Sequence, residues 1–170
     1  MDFCYAALTR ENAEQWQSLR LEGVRDFPIG FLVTEEEAAT TSVERAAGIL
    51  AAGSTRGVFS RETLAGFCGF RRSQLERMRH RAELGPFFVS ARFQGTGAAG
   101  ALMSGVIEEA RAAGVEQLEL FVDTENSRAI RFYQRFGFRQ AAIFIDSVRI
   151  DGQSRNDDFM TLRTRVRTHK

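Results

Sequence analysis

Residues Val89 to Met103 read V-S-A-R-F-Q-G-T-G-A-A-G-A-L-M, and the parsing of this stretch decides the fold. At its leading end Phe87-Phe88-Val89 has the residue types of a buried strand, which gives way to a polar connection from Ser90 to Phe93. Gln94-Gly95-Thr96-Gly97-Ala98-Ala99-Gly100 then runs almost without side chains into a helical pattern from about Ala98 to Ala113. Small residues at a helix start leave the first backbone N–H groups uncovered. Those donors and the helix dipole together form a seat for phosphate oxygens.

Two folds use such a cradle after a strand. Gly95, Gly97 and Gly100 spell G-x-G-x-x-G, and Asp123 ends the next strand about where a dinucleotide-binding fold places its ribose-binding acid. In that fold, however, the first glycine follows the strand almost at once, and several more alternating strands and helices are needed. Here five residues separate Val89 from Gly95, and one convincing helix remains after Asp123. Gln94-x-x-Gly97-x-Ala99 instead resembles the Q/R-x-x-G-x-G/A signature of the GCN5-related N-acetyltransferases. Three further stretches resemble that family in the family's order: His80-Arg81-Ala82-Glu83-Leu84, Ala101-Leu102-Met103, and Asn126-x-x-Ala129-x-x-x-Tyr133-x-x-x-Gly137-Phe138.

The resemblance implies an α/β (α+β) fold: a mixed, mostly antiparallel sheet of six to seven strands, flanked by about four helices and splayed between its two central strands. Gly85-Pro86 is the expected place for the irregularity that opens the splay. It also implies acetyl-coenzyme A as co-substrate and a primary amine as acceptor, with the acceptor unidentified. Two alternatives stay open: a non-catalytic acyl-coenzyme A binding module, and a dinucleotide-binding protein using Gly95, Gly97 and Gly100.

Composition narrows the classes further. At 170 residues the chain is read as one domain over 1–170, long enough to bury roughly 70% of its unfolded surface. A formal charge of +1 argues against a dedicated nucleic-acid binder, and the locally basic tail from Arg163 to Lys170 reads as a solvated end. Lys170 is the only lysine among 23 basic residues, which removes P-loop and Schiff-base lysine chemistry from the body of the fold. Cys4 and Cys68 lie in apolar runs and read as core packing; with His80 and His169 lacking neighbouring ligand types, no metal site is expected. Neither a signal peptide nor a membrane span is visible, so a soluble cytoplasmic protein is expected, with a homodimer as one option.

Along the chain, residues 3–8 read as a first strand, followed by a helix carrying Trp16, Leu19 and Val24. Pro28 and Gly30 break the chain, and Thr34-Glu35-Glu36-Glu37 starts a second helix running to about Ala52. This two-helix entry resembles the family's, whose connecting loop lines the acceptor side; the resemblance makes Phe31 and Glu35 substrate-binding candidates. Val58-Phe59 and Leu64 to Phe70 read as a hairpin, followed by a polar connection carrying Arg71, Arg72, Arg77, Arg79 and Arg81. That cluster reads as a solvated face, with a 3′-phosphate or acidic acceptor as the alternative. A central strand spans about Arg81 to Val89, another Gln117 to Val122, and a helix starts at Asn126 and closes at Gly137. Phe138 to Ile150 is a long strand, Asp151-Gly152 a turn, and Phe159 to Leu162 a last short strand.

The resemblance assigns roles to named residues. With Gln94 opening the cofactor-binding signature, backbone N–H groups of Gly95, Thr96, Gly97, Ala98 and Ala99 would hold the pyrophosphate, and the strand edge at Phe87, Phe88 and Val89 would pair with the pantetheine amides. Asn126 serves as a helix cap and as a partner to the pantetheine arm. Tyr133 lies seven residues on, two helical turns, so both side chains share a face. Tyr133 is the candidate general acid, since an ordinary phenol of pKa about 10 is protonated at neutral pH. Glu83 is the candidate base, because an amine of pKa about 10.4 is almost wholly charged near pH 7.4. Each also has a plain structural reading, Tyr133 as core and Glu83 as a strand carboxylate.

Overall fold

The computed structural model describes residues 2–164. Its strands are β1 (Cys4–Ala7), β2 (Thr55–Ser60), β3 (Thr63–Arg72), β4 (Arg81–Val89), β5 (Gln117–Asp123), β6 (Arg139–Ile150) and β7 (Gln153–Arg163). The helices are α1 (Ala13–Asp26), α2 (Glu35–Ala39), α3 (Val43–Ala51), α4 (Ala98–Ala112) and α5 (Ser127–Arg135). The strands form an open seven-stranded sheet in the order β1-β2-β3-β4-β5-β7-β6. The sheet is mixed: β4 and β5 are parallel through Arg81↔Gln117, Ala82↔Leu118 and Glu83↔Glu119, while β1/β2, β2/β3, β5/β7 and β6/β7 are antiparallel. The expected architecture is therefore the observed one. Among the described residues no helix is long and apolar enough to cross a membrane.

Two compact units divide the chain, and the division passes through β4 at Gly85-Pro86. Gly85 has φ +144°, a backbone setting that side chains rarely tolerate, so the irregularity expected in this strand sits where its sequence placed it. The first unit holds the residues up to Phe70 together with Pro86–Val106. Helix α1 buries Ala13, Trp16, Leu19 and Gly23, spaced three to four residues apart on one face, and Val24 beside them. Ala13, Trp16, Leu19 and Val24 join Leu8, Phe31, Leu50, Phe67 and Phe88 in one core. Trp16 meets Phe67 edge-on at 6.0 Å, and Phe31 and Phe88 meet at 5.8 Å.

The expected single helix from Thr34 to Ala52 is two. Thr34 caps α2 with a full capping box to Glu37, but Thr40 Oγ1 donates to the Glu37 carbonyl and Ser42 accepts from the Arg45 N–H to start α3. Three consecutive hydroxyl residues, Thr40-Thr41-Ser42, offer the backbone local partners that end one helix and cap the next. Cys4, expected in the core, is exposed on the four-residue β1, whereas Cys68 is buried.

The second unit holds Arg71–Gly85 and the residues from Ile107. Arg71 and Arg72 extend β3 and do not belong to the following connection. Asp151 and Gly152, with φ +51° and +76°, form the two-residue turn between Ile150 and Gln153. Strand β7 is far longer than the expected Phe159 to Leu162, because its polar half, Gln153 to Asp158, pairs along β6, and Asp157 and Asp158 pair with β5 as well. Arg155 binds Asp123 and Glu125, and Ser147 Oγ donates to Asp157. Residues 165–170, most of the basic tail, lie outside the described residues.

Candidate functional site

In the first unit, the end of β4 is held close to β3. The Ser90 N–H donates to the Ala65 carbonyl at 3.0 Å, and a Cβ on Gly66 would come within 2.9 Å of the Phe88 carbonyl oxygen. The chain then makes one 3-10 turn over Ala91–Phe93, whose Phe93 is buried edge-on against Phe3. The Phe93 carbonyl accepts the Thr96 hydroxyl at 2.6 Å, and Gln94 Nε2 donates to the Val89 carbonyl at 3.4 Å. Gly95 and Gly97 follow with φ +75° and +98°. A Cβ at either would meet nothing within 4 Å, so backbone conformation, not crowding, requires glycine there.

The first helical hydrogen bond is Ala101 N–H to the Gly97 carbonyl, at 2.9 Å. Among the described residues the N–H groups of Gly95, Gly97, Ala98, Ala99 and Gly100 have no hydrogen-bond acceptor. Five free donors at the positive end of a fifteen-residue helix suit a multiply charged anion without any lysine.

One residue of this region was not found by reading the sequence. Glu22, on α1, accepts the Ala91 N–H at 2.9 Å through Oε1 and the Ser90 hydroxyl at 3.1 Å through Oε2. Its carboxylate therefore fixes the turn that leads into the cradle. Next to it, Gly23 lets the α1 backbone ride against the aromatic core: a Cβ there would lie 2.5 Å from the Phe31 ring and 3.1 Å from that of Phe88. A glutamate on a helix has no local signature for a partner 68 residues away; the adjacent glycine in mid-helix was the one visible hint of close packing.

Phe31 and Phe88 are thus brought together, with Phe31 only 7% exposed. Val89 is buried and Phe87 half-buried. Glu35, the first residue of α2, is half-exposed and ion-paired with Arg25 at 3.0 Å.

In the second unit, Asn126 caps α5: its Oδ1 accepts the Ala129 N–H at 3.1 Å, which leaves its amide N–H groups as donors. Tyr133 is 8% exposed, its ring edge-on to Phe138 at 5.8 Å and to Phe132 at 5.5 Å. Glu83 is half-exposed, ion-paired with Arg71, and lines a cleft of about 200 Å³ with Arg71, Arg81 and Glu119. Arg81 holds Glu119 through two bonds of 2.5 and 2.7 Å, and Glu119 raises the guanidinium further above its usual range. With Arg79 on Glu76 as well, most of the arginine cluster is neutralised by its own carboxylates, the pattern of a solvated face.

Two features weigh against dinucleotide binding. The Asp123 carboxylate is buried and gripped by Arg155, whose hydrogen bonds hold it below the usual carboxylate range. The third glycine of that motif serves close helix–strand packing, yet a Cβ on Gly100 would meet nothing within 4 Å.

Comparison with known proteins agrees with this geometry. The model of the acetyltransferase (GNAT) family matches residues 8–138. A mycothiol acetyltransferase from Brachybacterium faecium is 36% identical over 77 residues, 45% of this chain and 23% of that protein. The match spans less than a third of the length of the curated relatives found. Among solved structures, an N-acetyltransferase from Staphylococcus aureus Mu50 superposes with TM-score 0.83 at 16% identity, over 97% of this chain and 100% of that one. A Salmonella typhimurium acetyltransferase homologue with its cofactor acetyl-CoA superposes with TM-score 0.83 at 15% identity, over 100% of this chain and 98% of that one. At these identities the structural likeness speaks for the fold.

Proposed function

Because the chain belongs to the acetyltransferase (GNAT) family, we propose that it transfers the acetyl group of acetyl-CoA to a primary amine by direct attack within a ternary complex. The observation that carries this reading is the set of five unpaired N–H groups, those of Gly95 and of Gly97 to Gly100, at the start of α4, a fit for pyrophosphate. When bound, acetyl-CoA supplies an activated thioester. The chain must then position it, bring up a neutral amine and furnish a proton for the departing sulfur.

Within Gln94 to Ala99, the N–H groups of Gly95, Gly97, Ala98 and Ala99 would hold the phosphates, those of Gln94 and Thr96 being bonded within the turn, with Glu22 keeping that turn in place. The edge of β4 at Phe87 to Val89 would pair with the amide groups of the pantetheine arm as an added strand does, and a backbone N–H near Phe88 or Val89 would face the thioester oxygen. Asn126, its Oδ1 committed to the α5 cap, has N–H donors to offer the same arm. Tyr133 would protonate the leaving sulfur, and Glu83 would take the proton of the amine directly or through a water once its ion pair with Arg71 opens. Phe31 and the half-exposed Glu35, beside Glu36 and Glu37, would form the acceptor side, the carboxylates attracting a cationic amine.

The test has two arms. Acetyl-CoA at about 100 times its dissociation constant should stabilise the protein by about 2.7 kcal/mol, and NADH should not. A panel of amines should then release free thiol. Stabilisation by NADH alone would overturn the cradle's assignment; stabilisation by acetyl-CoA without thiol release from any amine would favour an acyl-CoA binding module.

A further inference from the structure

The second unit sets two unlike ion pairs beside an exposed group of aromatic rings. Arg81 grips the buried carboxylate of Glu119 through Nε and Nη2 at 2.5 and 2.7 Å, and Gln117 Nε2 donates to the same carboxylate at 2.6 Å, so this pair is fixed. Arg71 and Glu83, in the same cleft, are each about half exposed, and an ion pair of that kind contributes little and opens easily. Glu83↔Glu119 is the last pair between β4 and β5. Two residues further along β5, and therefore on the face that carries Glu119, stands Phe121, 44% exposed. Its ring meets those of Phe159 and Phe144 at 5.0 and 5.1 Å, and Phe144 is 48% exposed. From strand spacing alone, Glu83 and Phe121 stand roughly 8 Å apart on the diagonal. A cation, an anion and an apolar surface are thus within reach of one small molecule.

Given acetyl transfer from acetyl-CoA, on which this reading rests, we propose that the acceptor is a free α-amino acid with an apolar side chain, seated between Arg71 and Glu83 and covering Phe121. Its carboxylate takes the place of Glu83 on Arg71, in the fork geometry a guanidinium favours. Its ammonium meets the Glu83 carboxylate so released, and its side chain lies on Phe121 and Phe144. A simple amine leaves the ion pair closed and Glu83 occupied, whereas an amino acid opens it and frees the base that its own amine needs. A peptide N-terminus has no carboxylate on the carbon that bears its amine, so this site does not select it. In the transfer, one ammonium proton passes to Glu83 and on to solvent, and the nitrogen bonds to the thioester carbon as the carbon–sulfur bond breaks. The second proton lost by nitrogen balances the one that Tyr133 gives to sulfur.

Free-thiol release and calorimetry test this with phenylalanine as probe, against phenylalaninamide and phenethylamine, which keep its ring and amine but lack the carboxylate. Phenylalanine should exceed both in kcat/KM by about 10- to 100-fold, the size of a hydrogen-bonded contact to a charged group. Arg71→Gln should remove that preference and, in titrations with coenzyme A present, weaken phenylalanine binding by about 10- to 100-fold. Phe121→Ala should cut the preference for phenylalanine over alanine by about 10-fold. Equal turnover of phenylalanine and phenethylamine, or phenylalanine binding indifferent to Arg71→Gln, would overturn the proposal and leave acetyl transfer standing. Arg71-dependent binding of phenylalanine without thiol release from any amine would uphold the amino-acid site and overturn the transfer reading. A protein that neither binds nor acetylates phenylalanine overturns the proposal.

Discussion

Gly97 allows charge and conformation in the cradle to be separated. It has φ +98° and open space where a Cβ would go. Gly97→Ala therefore clashes with nothing and pays only for a left-handed backbone, about 1–2 kcal/mol, offset by about 0.4–1 kcal/mol from a stiffer unfolded chain. We predict a stability loss of at most about 1.5 kcal/mol. If the whole strain falls on binding, acetyl-CoA affinity drops roughly 5- to 30-fold. Gly97→Asp tolerates the same backbone at least as well, but sets a carboxylate among donors read as a phosphate seat. Two unit charges about 5 Å apart repel by about 3 kcal/mol at an effective dielectric of about 20, which is about a further 100-fold. Calorimetric titration with acetyl-CoA at low and high salt measures both variants, and the extra loss in Asp should shrink as salt rises. Equal losses in Ala and Asp would refute an electrostatic seat; an Asp variant that binds as well as wild type would refute the cradle altogether.

Four other outcomes are predicted. Tyr133→Phe keeps the ring contacts with Phe132 and Phe138 and should lower turnover by about 10²–10⁴ with little change in acetyl-CoA affinity; unchanged turnover would make Tyr133 a core residue only. Glu83→Gln loses an exposed ion pair with Arg71, a stability change of about 0–1 kcal/mol; its turnover deficit should be largest near neutral pH and shrink toward the amine's own pKa of about 10.4, and a pH-independent deficit would indicate positioning by charge. Gly105→Ala would favour an isolated helix by about 1 kcal/mol, yet the new methyl meets the Tyr5 ring and overpacking costs about 1–3 kcal/mol; urea midpoints should fall in wild type and rise in a Tyr5→Ala background, and a gain in both would show that β1 yields freely. Asp123 has its pKa depressed in the folded state by the Arg155 hydrogen bonds, so its contribution is full above the ordinary carboxylate range and is lost as pH falls through the folded value; the stability gap between wild type and Asp123→Asn should be constant from about pH 5 to 8 and close below about pH 4, and a gap that persists in acid would exclude the ion pair as its source.

How much of this could be read from the chain depends on the range of the interaction concerned. Gln94 to Gly100, the helix behind it and the Asn126 to Tyr133 spacing were legible because bare N–H groups, positive-φ glycines and helical periodicity are properties of neighbouring residues. The same holds for the Asp151-Gly152 turn and the irregularity at Gly85. Thr40 to Ser42 was a local signal too, but the helical pattern on either side outweighed it until the caps were seen.

Tertiary structure alone decided what joins distant segments. Glu22 reaches Ser90 and Ala91 across 68 and 69 residues, and Phe31, Phe67 and Phe88 meet from three separate elements. Arg155 turns a polar stretch into the first half of β7 by binding Asp123 from 32 residues away. Polar residues look alike along a chain whether they face water or one another. Only folding shows which carboxylates are already occupied, as Glu83 and Asp123 are by arginines, and which apolar strand, as β6, is left at the end of its sheet with one edge unpaired. The sequence by itself determined the backbone shape of the cradle, since glycine and alanine constrain φ, ψ and exposure locally. What surrounds the cradle and what the outer strand presents required the fold, because burial and pairing are set by contacts between residues far apart in the chain.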